Sequence, residues 1–154
     1  MRTTGRRPAR HWFADLKAEA LAWWVGAASE RALRSVMGGR LRRVLLWQIF
    51  RTIGQRAQPD GHADSVVEFR ITGRRDGDVD RYRLTFHDAR CRPSRGGEGR
   101  PALTLELEGV AFLRLAGGTT SAERLLMTRK LKLRGDLLLA RALPATLRPP
   151  GRRS

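Results

Sequence analysis

The stretch MTRKLKLRGDLLLARALPATL, residues 127–147, changes character at its centre. Up to Arg134, apolar and basic residues alternate, the two-residue period of a strand with one buried face. After Gly135-Asp136 nearly every side chain is apolar. Asp136 is placed to cap a helix through Leu143, where Pro144 suits an end better than an interior. The apolar run is too short to cross a bilayer, which takes about 20 residues. A helix apolar on all sides needs something to bury every side of it.

Upstream, the same two periods recur. Before the sheet, residues 12–28 (WFADLKAEALAWWVGAA) read as a helix with Trp12, Phe13, Leu16, Ala20, Trp23 and Trp24 on one arc. Ser29 caps a short helix through Met37, stopped by Gly38-Gly39. A further helix over residues 40–54 presents Leu41, Leu45, Ile49 and Ile53, with Arg42 intruding among the apolar positions. QPDGHAD then breaks the chain.

The period switches to two in SVVEFRIT, which turns Val67, Phe69 and Ile71 one way and Val66, Glu68 and Arg70 the other. Asp76-Gly77 marks a reversal. RYRLTFH sets Tyr82, Leu84 and Phe86 inward, and ALTLELEG does the same with Leu103, Leu105 and Leu107. These strands make an antiparallel sheet with one greasy face. GVAFLRLAGG is a short helix stopped by a glycine pair, Ser121 caps another, and KLKLRG is a strand with Leu131 and Leu133 inward. Helices, strands, two helices, strand and helix make an α+β layout.

Composition bounds the function. At 154 residues, 41% hydrophobic and 30% charged, the chain is one domain able to bury a core, not a disordered polymer. The basic start is followed by Asp15, Lys17 and Glu19 where a signal peptide needs an apolar region, so a cytoplasmic location is expected. Cys91 is the only cysteine, which excludes an intramolecular disulfide and argues against a thiolate metal cluster. The net charge of +16 sits on the flanks. Residues 1–56 carry 12 Lys/Arg against 3 Asp/Glu, whereas residues 57–147 carry 16 against 12. A nucleic-acid role is disfavoured, since the excess charge lies outside the segment that reads as folded and the basic strands lack interleaved aromatics. Anionic lipid headgroups fit diffuse charge equally well.

KLKLRGD followed by DLLLARAL, with EGVAFLRLAGGTTSAERLLM and the hairpin VVEFRITG…YRLTF before it, resembles the sterol carrier protein type 2 family over residues 66–147. Two departures stand out: Arg129, where that family commonly has glycine before the Lys strand, and Ala102, where an Asp often precedes the third strand. The resemblance implies an α+β fold with a roughly five-stranded, mainly antiparallel sheet. Helices cover one face of it, and an apolar tunnel between the layers holds a long-chain lipid. A fifth short strand is then expected within HDARCRPS. The domain would span residues 29–147, after a basic, Trp-rich extension over 1–28 and before a basic tail over 148–154.

The lining implied is Phe69, Ile71, Tyr82, Leu84, Phe86, Leu105, Leu107, Phe112, Leu126, Met127, Leu131, Leu133, Leu137, Leu138, Leu139 and Leu143. Packing alone produces the same inward pattern, so these residues are core first and lining second. The partners expected are a fatty acid, acyl-CoA, sterol-like or isoprenoid lipid, with residues 1–28 touching an anionic membrane surface. No cofactor, metal or catalytic residue is expected. His11, His62 and His87 are scattered without ligand spacing, and Glu106/Glu108 and Asp76/Asp78/Asp80 lie on a solvent face and in a turn. Cys91 is read as an inert loop thiol despite Arg90, Arg92 and Arg95, which would lower its pKa. The competing reading is a structural or regulatory subunit of the same fold whose side chains fill the cavity.

Overall fold

The computed structural model describes residues 26–57 and 64–146; the extension before residue 26, with His11, most of the QPDGHAD break, with His62, and the tail lie outside them. In chain order the elements are α1 (Glu30–Gly38), α2 (Leu41–Arg56), β1 (Ser65–Thr72), β2 (Asp80–His87), β3 (Arg90–Arg95) and β4 (Leu103–Glu108). There follow α3 (Gly109–Ala116), α4 (Ala122–Met127), β5 (Leu131–Gly135) and α5 (Leu137–Thr146). Among the described residues no helix is long and apolar enough to cross a membrane.

Capping chemistry sets the helix starts. Ser29 Oγ accepts the Ala32 amide at 3.2 Å, and Ser121 Oγ accepts that of Arg124 at 3.2 Å. Asp136 Oδ1 accepts the amides of Leu138 and Leu139 at 3.0 and 3.1 Å. Each cap satisfies amides that a helix leaves orphaned. α5 runs on to Thr146, so Pro144 sits inside its last turn instead of ending it.

The sheet order is β3-β2-β1-β4-β5. β1 pairs with β2, β2 with β3 and β4 with β5 antiparallel, while β1 and β4 run parallel, so the sheet is mixed. β3 is the strand concealed in HDARCRPS. It follows a two-residue turn in which Asp88 and Ala89 take φ of 51° and 58°, the left-handed geometry of a tight hairpin. No glycine announces that turn, and Pro93 is tolerated because β3 is an edge strand. α2 lies close over this edge because residue 54 is glycine: a Cβ there would stand 2.7 Å from Pro93 Cδ.

The apolar faces of all five strands meet the helices in one core. Val67, Ile71, Leu84 and Leu103 have no exposed surface, nor do Leu46, Phe50 and Leu113 facing them. α2 presents a different stripe from the one expected. Leu41 is exposed, and the buried positions are Arg42, Leu46, Ile49 and Phe50. These lie at helical spacing on one arc once Arg42 is counted as an inward residue. It is inward because its donors are used: Nε donates to Asp80 Oδ2 at 2.7 Å and Nη1 to the Met37 carbonyl at 3.0 Å. Nη2 donates to the carbonyls of Ile71 and Thr72, both at 2.9 Å. A single guanidinium ties the α1–α2 junction to the end of β1 and the start of β2.

The opposite sheet face is not simply solvated. Glu68 and Arg83, expected outside, are buried. Arg81 Nη2 and Arg83 Nε donate to Glu68 Oε1 at 2.7 and 2.9 Å, and Arg83 also donates to the carbonyls of Glu98 and Gly99 at 2.8 and 2.7 Å. The β3–β4 loop therefore folds over this pair. Burial alone would raise the Glu68 carboxyl, but the bonds from Arg81 and Arg83 hold it below its ordinary value.

Both features of the C-terminal stretch that resist a generic reading are backbone features. A side chain on Gly135, at φ 110°, would collide with the Ala102 carbonyl oxygen. That oxygen accepts the Asp136 amide at 2.8 Å, so the turn into α5 needs glycine. After α4, the Lys130 amide reaches the Leu125 carbonyl at 2.7 Å and the Arg129 amide that of Leu126 at 3.1 Å. These are the paired bonds of a Schellman helix end, and its left-handed position is Arg129, at φ 60°. A residue with a Cβ is strained there by roughly 1 kcal/mol. Arg129→Gly is expected to raise unfolding free energy in urea by about 0.5–1 kcal/mol; an unchanged or lower midpoint would show that the side chain compensates the strain.

Candidate functional site

The gap between sheet and helices is occupied by an aromatic cluster centred on Phe50. Its ring stacks on Tyr82, with centroids 4.7 Å apart, and on Phe112 at 5.0 Å. Phe69 meets it edge-on at 5.1 Å. Trp47, one turn earlier on α2, stacks on Tyr82 at 6.4 Å and extends the column toward solvent. Neither Phe50 nor Trp47 stands out in the sequence pattern, because the stripe read on α2 excluded the arc that Arg42 opens.

Of the expected lining residues, Phe69, Ile71, Tyr82, Leu84, Phe86, Leu105, Leu107, Phe112, Leu131, Leu139 and Leu143 gather in this core, with Leu133 half-buried at its margin. Four do not reach the interior. Leu126 is 39% exposed, Met127 85%, Leu137 62% and Leu138 77%. On α5, Leu139 and Leu143 are four residues apart and take the sheet side, so Leu137 and Leu138 are rotated outward. On α4, Leu125 takes the core and its successors turn away from it. Over residues 137–143 the last helix thus buries one face, not all of its surface.

Among the described residues, two open clefts beside the core are rimmed by arginine. One, of about 410 Å³, lies where α1 meets the ends of β1 and β4 and includes Arg34, Arg42 and Arg75. The other, of about 240 Å³, lies between α2 and the β2–β3 edge and includes Arg43, Tyr82 and Arg95. The Tyr82 phenol is pushed above its ordinary pKa by burial and by Asp80, with Arg95, Arg43 and Arg42 pulling the other way. It stays protonated at neutral pH.

Among the described residues, Cys91 and His87 are not drawn together with other groups into a reactive cluster. Burial pushes the Cys91 thiol up to about 11, the reverse of activation by its arginine neighbours. His87 is exposed, with Nδ1 2.7 Å from Asp64 Oδ2 and Nε2 3.2 Å from Asp88 Oδ2. Among the described residues no group of three or more His, Cys, Asp or Glu could hold a metal ion. Asp80 is committed to Arg42 and to Arg74, whose Nη1 donates to Oδ1 at 3.0 Å.

A five-stranded mixed sheet with helices over an apolar, aromatic face defines a small α+β domain. The match of the SCP-2 sterol transfer family to residues 51–148 makes the assignment specific: the chain belongs to that family. No curated protein matches the chain significantly by sequence. Among solved structures it is similar to sterol carrier protein 2 like 2 from Aedes aegypti, with 22% identity, TM-score 0.56, and coverage of 68% of this chain and 97% of that one. It is also similar to sterol carrier protein 2 from Aedes aegypti in complex with palmitate, a C16 fatty acid, at 19% identity, TM-score 0.51, and 65% and 91% coverage. The sec-alkylsulfatase Pisa1 from Pseudomonas sp. contains the same fold, at 17% identity and TM-score 0.54, in 16% of its length and 65% of this chain. At these identities the structural likenesses establish the fold.

Proposed function

We propose that this protein binds and carries a long-chain lipid, without chemical change to it, in the apolar layer between sheet and helices. The observation that carries this reading is the continuous apolar face from Phe86 through Tyr82 and Phe69 to Phe112 and Leu143, in a chain of a lipid-transfer family. The palmitate complex of an Aedes relative supports a fatty acid as a ligand class. Apolar burial at about 0.8 kcal/mol per methylene gives a long chain ample driving force with little selectivity among tails. Residues 1–28, with their arginines and tryptophans, are proposed to bring the carrier to anionic membranes from a cytoplasmic location.

One observation favours the competing reading. Phe50, stacked between Tyr82 and Phe112, fills the space a chain would take, as in a subunit that keeps the fold and closes its cavity. Displacement of a fluorescent fatty-acid analogue by palmitate separates the two. Saturable binding at one lipid per chain, with the lipid recovered unchanged after incubation, is the expected result. No binding at micromolar concentration would leave the filled-core subunit as the function.

A further inference from the structure

The cleft between α2 and the β2–β3 edge has an electrostatic character that apolar carriage does not explain. Its rim holds Arg43 from α2 and Arg95 from the end of β3, neither of which pairs with a carboxylate among the described residues. Arg81 also borders the cleft, but its guanidinium is used by Glu68. The one carboxylate there, Asp80, is already bonded by Arg42 and Arg74. The cleft therefore carries an excess of two positive charges.

Its geometry joins that charge to the apolar interior. Arg95 is held with its guanidinium carbon 4.8 Å from the centroid of the Trp47 ring. Trp47 in turn stacks on Tyr82, which stacks on Phe50. Tyr82 is 3% exposed and borders the cleft. A guanidinium fork matches the two oxygens of a carboxylate or phosphate, and a phenol adds one more donor.

Resting on the lipid-carrier reading, we propose that this cleft is the headgroup site for an oxyacid amphiphile, a fatty acid or an alkyl phosphate. Arg43 and Arg95 clamp the anion, Tyr82 donates to it, and the tail enters along the aromatic column past Trp47. The carrier then discriminates by headgroup charge while accepting a range of tails.

The test measures displacement of the fluorescent probe from the full-length chain by palmitate, hexadecyl phosphate, methyl palmitate and inorganic phosphate. The wild-type protein is compared with Arg43→Gln/Arg95→Gln. The wild type is expected to bind the two anionic amphiphiles about tenfold more tightly than the ester. The double variant is expected to lose that preference while its affinity for the ester changes by less than about twofold. Inorganic phosphate is expected not to compete. Competition by phosphate that depends on both arginines would make this a free-anion site and overturn the headgroup assignment. Equal binding of ester and acids by the wild type, or a preference that survives in the variant, overturns the site and leaves lipid carriage standing. If no amphiphile binds, both readings fall.

Discussion

Arg42→Met is expected to remove about 3–5 kcal/mol of unfolding free energy, the cost of breaking a buried ion pair from one side. Arg42 is 4% exposed and makes four hydrogen bonds, to Asp80 and to the carbonyls of Met37, Ile71 and Thr72. Methionine follows the aliphatic stem of arginine but donates nothing. Two buried carbonyls and one partly buried carbonyl would lose a donor, and Asp80 would keep only the partly exposed Arg74. For a domain of this size the loss corresponds to a fall in melting temperature of roughly 10–15 °C. A double-mutant cycle with Asp80→Asn separates the pair from the packing. The two substitutions together should cost at least about 1 kcal/mol less than their sum, because each removes the same bond. A loss below about 1 kcal/mol for Arg42→Met alone would place the pair among weak surface contacts.

The same residue shows what a one-dimensional pattern conveys and what it conceals. Strand faces are legible because alternation has a period of two and one face is dry: Val67, Phe69, Ile71, Leu84 and Leu105 are all buried where the pattern puts them. Caps are legible because their chemistry is local, as at Ser29, Ser121 and Asp136. A charged residue on an apolar arc is ambiguous until its partner is known, and Asp80 lies 38 positions from Arg42. With Arg42 counted as an intruder, the apolar stripe of α2 takes in the exposed Leu41 and omits the buried Leu46 and Phe50. The Glu68–Arg83 pair was concealed likewise, since it is buried by a loop that returns over the face from residues 98 and 99.

Other features depend on φ, to which hydropathy is blind. The β2–β3 hairpin turns through Asp88 and Ala89, both left-handed and neither glycine, so β3 leaves only a faint trace in the sequence. The outward turn of Leu137 and Leu138 has a different origin. An all-apolar stretch does not say which of its faces meets the sheet, and Leu139 with Leu143 decides it only in three dimensions. Arg129 is the instructive case: its departure from the family's glycine falls at the one position of that helix end with positive φ.

Phe50→Ala is the substitution on which the two functional readings bear most directly. Phe50 has no exposed surface and is in ring contact with Tyr82, Phe112 and Phe69, so its loss leaves a cavity at the centre of the layer. A stability loss of about 3–5 kcal/mol is expected in urea denaturation, with Phe50→Leu intermediate and still folded. If the layer is where a lipid tail lies, the wild-type protein has to move this ring aside before the tail can enter. Apparent affinity is then reduced by the fraction of molecules in the open arrangement, and truncating the ring removes that reduction. Phe50→Ala should therefore bind palmitate more tightly, by about tenfold if the open form is near one-tenth populated. Saturating palmitate should also raise its melting temperature more than that of the wild type, since a ligand stabilises the state it binds. Stability and affinity would move in opposite directions at one residue, as expected of a side chain that plugs the site. Weaker palmitate binding by Phe50→Ala, with Phe50→Leu folded and also weakened, would mean that the ring is a wall the tail rests against, and that the tail enters elsewhere.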